Sequence, residues 1–211
     1  MGVRILIKMG KMRVLIACEE SQEVCKAFRK LGHYAWSCDT LPCSGGHPEW
    51  HFQRDVLELL EHTSGFWDLM IAHPPCTYLT NAAARHLYPK KVLNQERYKK
   101  GMKAKEFFMK LLNANIPKIV VENPNPSKIF GLPKHTQVIQ PYQHGHPFSK
   151  RTQLWIKNLP ELEPTDIVEI KESTKVPGNW FNKGGKDRQV NRSKTFPGIA
   201  KAMAEQWGGF A

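Results

Sequence analysis

The side chains best equipped for chemistry in this chain are a thiol and a carboxylate, each set directly after an apolar run. His73-Pro74-Pro75-Cys76 follows Trp67-Asp68-Leu69-Met70-Ile71-Ala72, and Glu122-Asn123-Pro124 follows Ile119-Val120-Val121. Short apolar runs bounded by turn residues read as buried strands. A strand that stops at prolines leaves the next polar side chain at the carboxyl edge of its sheet, and in open α/β sheets that edge is where ligands bind. A thiol and an acid delivered to one cleft are the equipment for covalent attack on a ring, with the acid activating the ring. Taken alone, Cys76 reads equally as a small buried hydrophobe, and Glu122 as a structural carboxylate. The two prolines before Cys76 and the polar Thr77-Tyr78-Leu79-Thr80-Asn81 after it favour an exposed, reactive thiol.

Bringing both groups to one edge requires a parallel sheet, and the chain alternates strands with helices in the order that builds one. Residues 12–17 read as a strand and 21–31 as a helix, with Val24, Phe28 and Leu31 at helical spacing, Ser21 as N-cap and Gly32 as the stop. Residues 33–38 read as a second strand closed by Asp39, 41–54 as a Pro/Gly/His-rich loop, and 56–62 as a short helix. The strand at 67–72 leads through the Cys76 turn into a polar, basic and aromatic loop at 77–100. A helix follows at 101–113, with Ala104, Phe107, Phe108, Leu111 and Leu112 on one face, and then a strand at 119–121. Residues 138–142 and 152–156 read as strands with no helix between them, so the sheet ends antiparallel. Residues 171–194 read as a loop, and 197–207 as a closing helix with proline in its first turn. The expected fold is α/β: a Rossmann-like, mostly parallel, doubly wound sheet with an antiparallel end.

The length of 211 residues fits one sizeable core. We expect a single domain over 12–211, preceded by an extension at 1–11 that ends before a second good start at Met12. No apolar run approaches the roughly 20 residues of a membrane helix, and no charged-then-apolar leader opens the chain. The five cysteines, an odd number, point to reduced thiols and a cytoplasmic protein. The net charge of +12 favours a polyanionic partner, nucleic acid first; the bland alternative is a solubility surface.

The first strand-to-helix turn, Ala17-Cys18-Glu19-Glu20-Ser21-Gln22, carries no glycine for a pyrophosphate and two glutamates that would repel one. It suits a cofactor with a cationic end, such as S-adenosylmethionine with its ammonium and sulfonium. Asp39 stands where an acid accepts both ribose hydroxyls, and Asp55-Val56 where a third acid meets the adenine. Each acid alone reads equally as a helix cap or solvated turn residue; their placement after successive strands supports the cofactor. Cys38, Cys43, His47 and His51 have the types for zinc but an irregular spacing, so we assign no metal. The basic, tyrosine-bearing stretch 85–100 suits phosphate contact and base stacking, or a solvated loop, and 183–194 has the same two readings.

His73-Pro74-Pro75-Cys76, Glu122-Asn123-Pro124 and Lys150-Arg151-Thr152-Gln153-Leu154-Trp155 resemble, in order, the Pro-Cys, Glu-Asn-Val and Arg-x-Arg signatures of DNA cytosine carbon-5 methyltransferases. The chain is most similar to small phage-borne members, over residues 12–156 and again in 194–204, which resembles the family's closing helix. The resemblance implies the S-adenosylmethionine-dependent methyltransferase fold. It implies Cys76 as nucleophile on carbon-6, Glu122 as clamp on the ring nitrogen, and Arg151 as the contact to the carbonyl oxygen that also fixes Glu122. It also implies His73 and Pro75 as cofactor contacts. The chain departs from the family pattern at Cys18-Glu19-Glu20-Ser21-Gln22, which replaces a glycine-rich loop, at Pro124 and at Gln153. Residues 157–193 are too few for an independent recognition domain, which leaves open low sequence specificity, help from a partner, RNA or a free pyrimidine nucleotide as substrate. Two further readings stand beside this one. His73-Pro74-Pro75-Cys76-Thr77-Tyr78 also resembles the turn of amino-group methyltransferases, in which no thiol attacks, and a non-catalytic nucleic-acid binder would keep the same pocket and charge.

Overall fold

Five strands between residues 13 and 124 run parallel. They are β1 (Arg13–Ala17), β2 (Tyr34–Asp39), β3 (His51–Gln53), β4 (Leu69–Ala72) and β5 (Lys118–Pro124). The computed structural model describes residues 10–170, 172–173 and 194–209. Two further sheet strands, β6 (Gln137–Ile139) and β8 (Thr152–Lys157), pair antiparallel. Between them in sequence lies β7 (Phe148–Ser149), which pairs with β9 (Glu172–Ser173) in a separate two-residue ladder. The large sheet has seven strands in the order β3-β2-β1-β4-β5-β8-β6. This is the mostly parallel, doubly wound α/β fold with an antiparallel end that the strand pattern predicts.

The winding reverses between β1 and β4, so their carboxyl ends form the crevice where this class of sheet binds ligands. Register makes the crevice concrete: Ala17 lies opposite Ala72, and the His73 N–H donates to the Ala17 carbonyl at 2.9 Å. Beneath this edge the strands are almost wholly apolar, as double burial of a parallel sheet demands; Val14, Leu15, Ile16, Leu69, Met70, Ile71, Ile119, Val120 and Val121 are fully buried. One face packs on α1 (Glu23–Lys30) and α5 (Pro197–Trp207) through Phe28, Met203 and Trp207. The other packs on α2 (Val56–His62) and α4 (Gln95–Leu112) through Leu59, Phe108 and Leu111. A further short helix among the described residues, α3 (Ala84–Leu87), lies in the segment after the Cys76 turn.

Four local expectations are corrected. His51-Phe52-Gln53, read as loop, is the edge strand β3, too short and polar to show alternation. Strand β5 does not stop before its prolines. It runs through Glu122, Asn123 and Pro124, because β8 pairs beside it, with Glu122 opposite Leu154 and Pro124 opposite Thr152 at the ladder's end. Helix α4 begins at Gln95, capped by the Asn94 side chain, rather than at residue 101. Gly101 lies inside it because Phe130 crosses there: a Cβ at Gly101 would stand 2.2 Å from the Phe130 ring. Ser21 is not the cap of α1, for the N-cap is Gln22 in a left-handed conformation without a side-chain cap bond. Gly32 does close that helix, at φ +88°. The expected extension at 1–11 and loop at 171–194 fall almost entirely outside the described residues. Among those described, no helix is long and apolar enough to cross a membrane.

Candidate active site

The turn leaving β1 is built by side chains doing backbone work. Glu19 is buried, and its two carboxylate oxygens accept the N–H groups of Val24 and Cys25 at 2.8 and 3.2 Å. A carboxylate placed on the orphan amides of a helix start caps that helix and suits its dipole. Burial nevertheless pushes the Glu19 carboxyl up; His73 and the two backbone N–H groups counter it only in part. Cys18 and Gln22 both hold φ +59°, where non-glycine residues rarely sit, so the turn takes left-handed conformations without glycine. Such conformations survive where the surroundings fix them. Gln22 shows how: its side chain donates to the Ser37 hydroxyl and His47 carbonyl and accepts from Cys43 Sγ and the His47 N–H. Ser44 Oγ donates to the Glu20 carboxylate and clamps the loop from its other side. Ser21, like Gln22, is buried.

The acids expected around this turn converge on it. Burial, then the charges of Asp39, Cys38 and Asp55, push the Cys18 thiol far up. The Cys38 thiol is pushed up to about 12 by burial, then by Asp39 and Asp55. Asp39 accepts the Leu41 N–H at 2.9 Å. Asp55 is the N-cap of α2, accepting the Leu57 N–H at 2.7 Å, with Val56 buried behind it. Asp55 therefore has the cap function that sequence left open for it.

The Cys76 turn and the Glu122 strand form one unit. The Cys76 carbonyl accepts the N–H groups of Leu79 and Thr80, a tight turn that starts as β4 ends. The Asn81 N–H then donates to the Asn125 carbonyl at 2.9 Å, the Ser127 N–H donates to the Leu79 carbonyl at 2.7 Å, and Thr80 bridges Pro126. Cys76 is half-buried. A thiolate is the attacking form, and three other cysteines are poor sources of one: Cys18 as above, with Cys25 and Cys38 both at about 12.

Glu122 is partnered by His73. His73 Nδ1 lies 3.0 Å from Glu122 Oε2, with side chains only 8% and 17% exposed. Burial opposes the His73 charge, yet its hydrogen bond to Glu122 and the charges of Glu122 and Glu19 outweigh burial and raise its pKa. Burial likewise opposes the Glu122 charge, and His73 and Lys150 outweigh it, holding Glu122 below the usual carboxylate range. Beside the pair is a small cleft lined also by Lys150, Thr152, Lys194 and Phe196. The expected cation, Arg151, is exposed; of the two adjacent cations it is Lys150 that lines this cleft. Both cations lie in the short link between β7 and β8, and that link turns Lys150 into the cleft beside Thr152. Sequence also placed His73 and Pro75 with the cofactor. Pro75 is exposed, and His73 binds the carboxylate. No local signal singles out Lys150 from Arg151, and only the five-residue distance from Glu19 to Val24 signalled the cap.

Next to the Cys76 turn is a second cavity of about 380 Å³ lined by Tyr78, Arg85, His86, Asn94, Arg97 and Lys100, among others. Arg97 donates to the Thr77 carbonyl at 3.1 Å and lies over the Tyr78 ring, tying α4 to the turn. The stretch 85–100 thus contacts the segment just after Cys76, at Thr77 and Tyr78; the basic stretch 183–193 lies outside the described residues. The candidate zinc ligands are otherwise engaged: Cys38 with the Arg54 carbonyl, Cys43 with Gln22, His47 stacked on Trp50, and His51 with Ser37 and the Leu41 carbonyl. Among the described residues no group of three or more His, Cys, Asp or Glu side chains could hold a metal ion.

No family model matches the chain, and no curated protein matches it. Among solved structures it is similar to a protein described as a DNA modification methyltransferase encoded within an E. coli prophage, with 11% identity and a TM-score of 0.47, over 75% of this chain and 52% of that one. It is also similar to the Dnmt2 methyltransferase of S. pombe, with 14% identity and a TM-score of 0.44, over 72% of this chain and 51% of that one. The chain spans about half the length of each of these structures.

Proposed function

We propose that the protein is an S-adenosylmethionine-dependent methyltransferase acting on carbon-5 of cytosine in nucleic acid, with DNA as the substrate. The observation that carries this reading is the union of the Cys76 turn with the Glu122 strand at the sheet's switch point. A thiol and a buried carboxylate held on one rigid frame match the needs of pyrimidine attack, and their sequence context resembles the family that does it.

The turn after β1 suits the cofactor. Asp39 and Asp55 act together on the Cys18 thiol, so the crevice there is electronegative and favours a sulfonium. Ala17, Cys18, Glu20, Ser21, Asp39, Asp55, Val56 and Pro75 would hold it, with Glu19 and Gln22 shaping the turn. When bound, S-adenosylmethionine supplies the methyl group to carbon-5. Cys76, as thiolate, bonds carbon-6 and breaks the ring's conjugation, because the pyrimidine is a poor nucleophile until a thiolate adds. Glu122 holds the ring nitrogen. Lys150, rather than the Arg151 designated by the motif, supplies the positive charge at the clamp. Loss of the carbon-5 proton then expels the thiolate. A base in duplex DNA must leave the stack to reach this site, and the cavity of Arg85, Arg97 and Lys100 suits the flanking phosphates. The net +12 supports the same partner.

The test is incubation with methyl-labelled S-adenosylmethionine and, separately, DNA, RNA and cytidine nucleotides, followed by mass spectrometry of the hydrolysed product. We expect 5-methylcytosine from DNA. Label on an exocyclic nitrogen, label only in RNA or nucleotide, or DNA binding without turnover would each refute the reading.

A further inference from the structure

The neighbour of Glu122 is unusual for a structural partner. Ala72 and Val121 are register partners in adjacent parallel strands, so His73, just past the end of β4, and Glu122, still within β5, stand side by side. The His73 backbone is fixed by its N–H bond to the Ala17 carbonyl, and Nδ1 by Glu122 at 3.0 Å. Its Nε2 is buried and has no hydrogen-bond partner among the described residues. The charged groups that act on this ring are Glu122 from β5, Glu19 from the turn after β1, and Lys150 from the segment before β8. Lys194, ahead of α5, lines the same cleft. One imidazole is therefore bonded to one carboxylate and biased toward its charged form by the charge of a second, Glu19.

A carboxyl group that activates a ring nitrogen must have a proton to give, and a carboxylate surrounded by cations has none. We infer that His73 is a positioning residue that stores this proton, holding Glu122 through Nδ1–H and yielding that proton to the carboxyl when cytosine is attacked. The inference rests on the carbon-5 reading above. As sulfur bonds carbon-6, the carbon-5–carbon-6 double bond shifts toward carbon-4 and an electron pair moves to ring nitrogen-3. The Nδ1 proton of His73 passes to the Glu122 carboxylate and on to nitrogen-3, leaving a neutral imidazole and an ionised Glu122. When carbon-5 gives up its proton to solvent and sulfur departs, the nitrogen-3 proton returns through Glu122 to Nδ1. An ion pair that served only to hold β4 to β5 would need no such exchange.

The test compares the wild type with His73→Asn and His73→Gln in the rate of covalent complex formation with DNA containing 5-fluorocytosine, across the histidine titration range. Either amide donates a hydrogen bond to Glu122 but has no proton to yield. The wild-type rate is expected to fall on the alkaline side, above the ordinary histidine value of 6.5. The variants are expected to be slower by about 100-fold near neutrality, to lose that alkaline limb, and to bind DNA as the wild type does. Variants that keep the wild-type rate and limb overturn the role of His73. Nitrogen NMR of the His73 ring supplies a measurement independent of turnover: its titration is expected to move to lower pH in Glu122→Gln, and an unmoved titration overturns the inference. If the wild type forms no complex at all, the carbon-5 reading falls and takes this role with it. A wild-type complex with unaltered variants removes the His73 role alone.

Discussion

Gly101 offers a prediction whose sign depends on which of two effects wins. It lies inside α4, where replacing glycine by alanine normally stabilises by about 1 kcal/mol. Here the added Cβ would stand 2.2 and 2.3 Å from two carbons of the Phe130 ring. Carbon atoms prefer roughly 3.5–4.0 Å, so the ring would have to retreat by more than about 1 Å. Phe130 is 2% exposed and stacks on Tyr98, so it has nowhere to swing. Overpacking of this kind costs about 1–3 kcal/mol, and the upper part of that range applies because two ring atoms clash. Gly101→Ala is therefore expected to lose about 1–2 kcal/mol net, lowering the melting temperature by about 2–8 °C for a chain of this size. Thermal and urea unfolding of the purified protein read this directly. Phe130→Leu in the same background should recover part of the loss, a coupling that separates the clash from a general helix effect. The displacement also reaches the site, since Ser127, three residues before Phe130, holds the Leu79 carbonyl beside the Cys76 turn. A Gly101→Ala protein more stable than the wild type would refute the reasoning.

Three other perturbations address the site itself. Glu122→Gln should be less stable than the wild type by about 1–2 kcal/mol in urea unfolding near pH 6, the difference between a charged and a neutral buried hydrogen bond. Because the His73 pKa is raised, its share of that stability is complete below 6.5 and lost as pH rises through the raised value; because Glu122 is held low, its share is present above 4.5 and lost as pH falls further. A deficit unchanged at alkaline pH would contradict the pair. Arg97→Ala should weaken DNA binding about equally across sequences and reduce the salt dependence by about one phosphate contact, as measured by titration at several salt concentrations; an unaltered slope would remove the cavity from the interface. Lys150→Ala should slow methyl transfer by about 100-fold and Arg151→Ala far less, and the reverse order would restore Arg151 to the clamp.

What sequence shows and hides here follows from the range of each interaction. The Cys76 turn is legible because an apolar strand followed by two prolines is a local signal. The length of β5 is not, since proline at 124 is tolerated only because β8, some thirty residues later, pairs alongside and ends there. The acids at strand ends are legible as a series. That Glu19 caps α1 while Ser21 does not depends on a left-handed Gln22, and Gln22 is held there by a loop twenty residues on. Which of Lys150 and Arg151 enters the cleft depends on the path of the link between β7 and β8, a tertiary feature with no local signal. The Glu122–His73 contact was foreseeable in kind, because His73 follows β4 and Glu122 lies near the carboxyl end of its parallel neighbour β5, but which strands neighbour each other is a property of the whole sheet.

The central claim is that Cys76 attacks the pyrimidine ring. The direct measurement is trapping of the protein on DNA containing 5-fluorocytosine in the presence of S-adenosylmethionine, with mass spectrometry of the digested complex. The account predicts a denaturant-stable complex whose modified peptide carries the base on Cys76, and no complex with Cys76→Ala. Methyl transfer by Cys76→Ala, or transfer by the wild type with no trapped peptide, would contradict it.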